Sequence, residues 1–189
     1  EIEWTTSVAA TSNSSMVSIE AESYFASLSQ GEHEWTESYL SGGSGDIAME
    51  ALPNIGTIWN TDYIDNSPTM DYTAMFVQSG TYYVWVRGIG TSKYDDSVHV
   101  GLNGERVPAC ERISGFDNGW GWSNETMDGT RAAISIAAGT HSVNVWMRED
   151  GFIGDKLVLT PSAGYAPSAT GPAESSRGQA DPVVQTPVI

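Results

Sequence analysis

The stretch with the most chemistry in it runs Phe116-Asp-Asn-Gly-Trp-Gly-Trp-Ser-Asn124. Glycines flank Trp120 and precede Trp122, so a flexible loop can present two flat indoles. The apolar face of a sugar ring stacks on such surfaces, while its hydroxyls need amide or carboxylate partners at the rim. Asn118, Asn60, Asp95 and Asp96 supply that chemistry nearby, Tyr94 adds a ring beside the two aspartates, and Asp150 lies in another polar loop. Trp59, Tyr63 and Phe152 complete a set of large aromatics in segments rich in turn residues, where a big ring calls for an explanation. One or two rings folding back as loop anchors is the plainer explanation, and it is expected for Trp59 or Phe152.

A second constellation is acidic. Glu20 and Glu22 are one residue apart on an alternating segment, which puts both carboxylates on one face of a strand. Asp155 begins the last strand, and first and last strands often pair in a sandwich. Three carboxylates with backbone carbonyls suit calcium, a hard cation that takes oxygen ligands. A solvated acidic face accounts for the same spacing equally well.

Catalytic patterns are missing from the sequence. His33, His99 and His141 are scattered, and no His-x-x-x-His, Gly-x-Ser-x-Gly or P-loop arrangement occurs. In a chain with 24 Asp and Glu, chance carboxylate pairs are expected and do not make a glycosidase. Those 24 acidic residues against 8 basic ones leave a net charge of -16, which excludes nucleic acid and an anionic membrane as partners. The single cysteine, Cys110, allows no internal disulfide and sits in a strand-like segment as a buried inert thiol. No apolar stretch reaches the about 18 residues of a membrane span.

The elements that must position these groups are strands. Period-two alternation marks Val17–Glu22, 70–77, 82–87, 97–103, 132–137, 141–148 and 156–160, with a further short strand around 108–113. Asn103-Gly104 is a strong hairpin turn. If the hairpins are antiparallel throughout, loops 53–68, 91–96, 114–130 and 149–154 share one end. Trp85 and Trp146 lie mid-strand and read as core or sheet-face residues. Trp35 suits either a second site or the cover of a sheet edge. The pattern predicts an all-β chain, a β-sandwich of jelly-roll type with two antiparallel sheets. Residues 1–15 read as an N-terminal tail or linker and 16–161 as the folded unit. Residues 162–189, rich in Pro, Ser and Gly, read as a linker expected to be disordered.

Taken in order, these segments resemble carbohydrate-binding modules of families 6 and 35. Val17-Ser-Ile-Glu-Ala-Glu-Ser-Tyr24 resembles their opening strand. Ser67-Pro-Thr-Met-Asp-Tyr72 and Gly80-Thr-Tyr-Tyr-Val-Trp-Val-Arg-Gly88 resemble their central hairpin. Gly139–Gly151 and Asp155–Thr160 resemble their last two strands. The resemblance implies a β-sandwich joined to a polysaccharide-degrading enzyme, with a structural calcium on Glu20, Glu22 and Asp155 and a backbone carbonyl from Ser41–Gly45. It also implies a site between loops at one end, using Tyr94, Trp120 or Trp122 and a residue of the 149–154 loop. Family 6 often has an asparagine in that last loop, where this chain has Asp150.

The expectation is therefore a secreted, extracellular, bacterial, non-catalytic module that carries a covalently linked glycan-degrading domain to a polysaccharide, a neutral one by charge. Its ligand-binding set is Trp120, Trp122, Tyr94, Asp96, Asn118, Asp150 and Trp59. The alternative is a structural or adhesin-like domain that packs on a catalytic neighbour and binds no sugar.

Overall fold

A computed structural model describes residues 15–116 and 119–176. Asn118 and the stretches 1–14 and 177–189 lie outside the described residues, and so does most of the expected N-terminal tail.

Alternating apolar residues build two antiparallel sheets. The strands are β1 (Val17–Glu20), β2 (Ala26–Leu28), β3 (Glu34–Ser38), β4 (Ala48–Leu52), β5 (Thr69–Phe76), β6 (Gly80–Ile89) and β7 (Ser97–Leu102). They continue with β8 (Glu105–Arg106), β9 (Ile113–Ser114), β10 (Gly121–Ser123), β11 (Ala133–Ile136), β12 (Gly139–Met147) and β13 (Ile153–Thr160). In the first sheet β6 pairs with β13, β10 and β11 both pair with β6, β1 and β4 pair with β13, and β3 pairs with β4. The second sheet runs β2-β5-β12-β7-β8, with β9 on β7. The result is the β-sandwich that the alternation predicts.

The pleat sends successive side chains to opposite faces. On β6, Tyr82, Val84 and Val86 enter the core between the sheets and meet Leu157 and Leu159 of β13, with Tyr72, Phe76 and Val145 from the second sheet. The intervening Tyr83, Trp85 and Arg87 point to the outer face, opposite Thr160, Val158 and Lys156. At Asn103-Gly104 both residues take positive φ (56° and 78°), as the tight hairpin requires.

Three local expectations change. The segment around 108–113 is not one strand: Pro108–Cys110 forms a 3-10 turn and only Ile113–Ser114 pairs. Proline there fixes φ for the turn and offers no N–H to a ladder. Cys110 is buried in that turn, and burial pushes its thiol pKa up to about 12, which makes it the inert thiol expected. The first strand stops at Glu20, and Ala21–Ser23 is a 3-10 turn, so Glu22 does not share a strand face with Glu20.

The third change concerns the C-terminal linker. Up to residue 176 it lies as a strap across the outer face of the first sheet. Arg131 donates to the Ala163 carbonyl (3.0 Å), and Ser175 N–H to Ser18 O (2.9 Å). Ser18 N–H and Oγ–H donate to Ser175 Oγ (2.9 Å) and Pro172 O (3.3 Å). Its composition has no apolar run to bury, and hydrogen bonds to its backbone and polar side chains hold it.

Candidate functional site

Four loops meet at one end of the sandwich, bound to one another through the backbone. Gly90 N–H donates to Phe116 O (2.9 Å), Trp59 N–H to Arg148 O (2.7 Å), and Asp150 N–H to Thr57 O (3.2 Å). Asp96 N–H donates to Glu149 Oε2 (3.0 Å). The common end expected for these loops from strand direction is therefore present.

Charged groups stiffen this crown from below. Glu149 Oε2 also accepts a hydrogen bond from the Ser97 hydroxyl (2.7 Å), and Arg148 pairs with Glu149 while donating to Ser97 Oγ (2.7 Å) and Asn60 Oδ1 (2.9 Å). Asp95 ties its own loop by accepting from Ser92 N–H and from the Thr91 hydroxyl. Charge-assisted bonds of this kind are about twice as strong as neutral ones and fix loop geometry before any ligand arrives. Beneath the crown, His99 stacks on Tyr63 at 3.9 Å. It faces the Trp59 carbonyl through Nε2 (2.9 Å) and accepts the Arg112 N–H at Nδ1 (3.2 Å). Burial lowers its pKa to about 4, so it is neutral in the fold at ordinary pH.

The expected ligand-binding residues separate into three groups. Tyr94 stands free on the crown, 62% exposed, with Lys93 Nζ 4.9 Å from its ring centre. Trp59 is half-buried against the core, and Asp96 is buried. Asp150 is fully buried and accepts from Ile55 N–H (2.8 Å), Gly56 N–H (3.2 Å) and Thr57 N–H (2.9 Å), with His33 Nε2 at 3.2 Å. Its carboxylate holds loop 53–57 in place and has no open side for a sugar hydroxyl. Phe152 is the loop anchor expected, packed on Trp35 and Phe116. Trp35 is buried, with its indole N–H on Pro68 O (3.1 Å).

Trp120 and Trp122 sit on the outer face of the first sheet and are only partly open. Trp120 donates its indole N–H to Ser41 O (3.0 Å), and Arg87 lies over its ring at 4.9 Å. Trp122, paired with Arg87 across β10 and β6, donates to Ala169 O (3.0 Å). Neither indole N–H is available to a ligand. Trp122 does line an open cleft of about 410 Å³ with Ser114, Ser123, Glu125 and Met127.

The acidic constellation also assembles, with partners that sequence spacing does not reveal. Asp155 is fully buried, and its Oδ2 pairs with Arg87 Nη1 (2.7 Å) while its Oδ1 accepts Ser44 N–H (2.6 Å). Glu20 Oε1 meets Lys156 Nζ (2.7 Å) and the Ser44 hydroxyl (3.0 Å). Burial raises the Asp155 pKa above the usual carboxylate value, against the pull of Arg87 and Ser44. Burial raises that of Glu22 too, with a further push from Glu20, Asp155 and Glu174.

A calcium ion needs about six to eight oxygen ligands. Both Asp155 oxygens are already occupied by N–H donors, and the loop carbonyls of Ser41 and Gly42 are occupied by Trp120 and Arg87. Glu20 Oε2 and Glu22 Oε2 are buried without a hydrogen-bond partner. Among the described residues no group of three His, Cys, Asp or Glu is arranged to hold a metal ion. The three acids share a neighbourhood but do not fit as a calcium ligand set. Arg87 and Lys156 are the residues that sequence reasoning passed over. Their signal was a cation on the outward phase of an alternating strand in a chain with only 8 basic residues.

The family model for the glycosyl hydrolase family 115 C-terminal domain matches residues 11–174. An uncharacterized protein, P23, of Formosa agariphila is 34% identical over 161 residues, which cover 75% of this chain and 39% of that protein. Among solved structures, a family 35 carbohydrate-binding module (CBM35) from Paenibacillus barcinonensis superposes with a TM-score of 0.54 at 14% identity, covering 77% of this chain and 99% of that one. A family 35 module from Clostridium thermocellum gives 0.53 at 12% identity, with 78% and 98% covered. The GH26-CBM35 β-(1,4)-mannanase of Podospora anserina gives 0.54 at 18% identity, with 80% of this chain and 29% of the enzyme covered. At these identities the likeness is one of fold. The sandwich is that of the carbohydrate-binding modules.

Proposed function

The chain belongs to the glycosyl hydrolase family 115 C-terminal domain family, and from that premise we propose that it is a non-catalytic module that holds an attached glycan-degrading enzyme on its polysaccharide. The observation that carries the reading is Tyr94. Its ring is exposed at the loop end of a carbohydrate-binding fold, on a loop that Asp95 and the Arg148–Glu149 pair fix in advance. A preorganised exposed ring loses little freedom when a sugar stacks on it. Lys93 Nζ, over the ring at 4.9 Å from its centre, offers a polar contact beside it. Tethering raises the local concentration of substrate at the enzyme and needs no chemistry from the module itself. The net charge of -16 favours a neutral glycan in a secreted, bacterial setting.

Affinity electrophoresis through gels containing neutral polysaccharides tests this reading. Tyr94→Ala is expected to weaken retention about tenfold with an unchanged melting temperature, in line with the loss of one stacking ring. Retention equal to that of the unaltered chain in every gel overturns the Tyr94 site.

The alternative, a domain that packs on a catalytic neighbour, is favoured by Phe25 and Leu28. They are 61% and 51% exposed on and beside the edge strand β2. In that case intrinsic fluorescence does not respond to any glycan, and Phe25→Ser loosens the contact with the neighbour.

A further inference from the structure

The carboxylate cluster is closed by two cations of the protein itself. Arg87 and Lys156 are 5% and 2% exposed, and a buried cation persists only when it is paired and hydrogen-bonded. Arg87 uses every side of its guanidinium: Nη1 on Asp155 Oδ2 (2.7 Å), Nη2 on Gly42 O (2.9 Å), Nε on Ala169 O (3.0 Å), and its face on Trp120. Lys156 Nζ reaches Glu20 Oε1 (2.7 Å) and Pro172 O (3.0 Å). Both cations therefore bridge the acids to the C-terminal strap. The strap completes the circuit, since Glu174 Oε1 accepts the Glu20 N–H (3.4 Å).

We propose that Arg87 and Lys156 stand where a structural metal would be expected. They neutralise Asp155 and Glu20 from within and use their remaining N–H groups to clamp the strap, so that the cluster and residues 169–175 form one unit that needs no bound cation. Arg87 pairs with Asp155 and Lys156 with Glu20, so two of the three acids each have a cation of the protein itself. A divalent ion entering the cluster would face two buried positive charges and would have to displace an N–H donor from Asp155. The strap backbone is shaped to the clamp: Ala169 takes φ +49°, and its carbonyl receives both Arg87 Nε–H and Trp122 Nε1–H. A non-glycine residue holds that left-handed conformation only where its surroundings determine it.

The test uses the full chain. Its melting temperature is expected to be the same after exhaustive chelation and in millimolar calcium. Terbium is expected to give no Trp120-sensitised luminescence that calcium competes away. A fall in melting temperature on chelation, a saturable rise with calcium, or competed terbium luminescence overturns the metal-free reading. The clamp is read by amide hydrogen exchange at Ser175, whose N–H is bonded to Ser18 O. Lys156→Met is expected to raise that exchange rate about tenfold or more while core amides of β6 and β12 keep their protection. Should the single variant not fold, the charge-balanced pair Glu20→Gln with Lys156→Met is read instead, with the same expectation. Unchanged exchange at Ser175, or failure of the charge-balanced pair to fold, overturns the clamp.

Discussion

The indole N–H of Trp122 donates to the carbonyl of Ala169 at 3.0 Å, and Gly171 lies against the same ring with no room for a side chain. A tryptophan expected to stand open for a ligand is thus roofed by a segment expected to be a linker. A chain ended at Pro161 loses this roof together with the strap partners of Ser18 and Lys156. It is expected to be less stable by about 2 kcal/mol or more, from several net hydrogen bonds of about 1 kcal/mol each. Urea unfolding measures the loss, and red-shifted tryptophan emission from the folded truncated chain reports the newly wet Trp122.

Asp150 belongs to the expected ligand-binding set, and its carboxylate accepts three backbone N–H groups. Asp150→Ala leaves those donors and His33 Nε2 without a partner in a buried place. The expected cost is about 3 kcal/mol or more, seen in chemical denaturation without any glycan present. Wild-type stability combined with lost glycan retention would return Asp150 to the ligand-binding set.

His99 makes the fold sensitive to acid. Its pKa is near 6.5 when unfolded and lowered to about 4 in the fold, chiefly by burial. The folded state therefore binds fewer protons across that window. The stability is fully present above pH 6.5 and is lost as pH falls toward 4, by on the order of 3 kcal/mol in total. Denaturation midpoints measured across the window should fall with pH, and His99→Asn should flatten that part of the curve at the cost of a lower plateau.

Gly101 faces a crowded neighbour. A Cβ there would run into the Glu105 carbonyl and the Trp146 ring, whereas one at Gly164 would meet nothing within 4 Å. Gly101→Ala is expected to destabilise by about 2 kcal/mol through overpacking, and Gly164→Ala to change stability by less than about 0.5 kcal/mol. Thermal melts of the two variants make the comparison.

Alternation along β6 was enough to separate its two faces. Val84 and Val86 face the core and Trp85 and Arg87 face away because side chains on a strand must alternate, whatever the rest of the chain does. Hairpin direction likewise placed four loops at one end, and turn chemistry marked Asn103-Gly104. The family resemblance was legible because it too rests on the order and spacing of strands.

What a polar or aromatic side chain does at the end of its strand or loop was settled in three dimensions. Tyr94 and Trp122 read alike as loop aromatics, yet one is largely exposed and the other partly roofed by residues 47 positions further on. Asp155 is expected as a metal ligand, and the fold sets Arg87, 68 positions earlier, against its Oδ2. Local sequence fixes the face on which a side chain emerges. Its partner comes from whichever distant segment the fold brings within about 3 Å, and the free energy of a buried charge or donor depends on that partner. The sequence alone thus determined the sandwich, its loop end and its acidity. The tertiary structure decided which rings remain open and which charges are already spoken for.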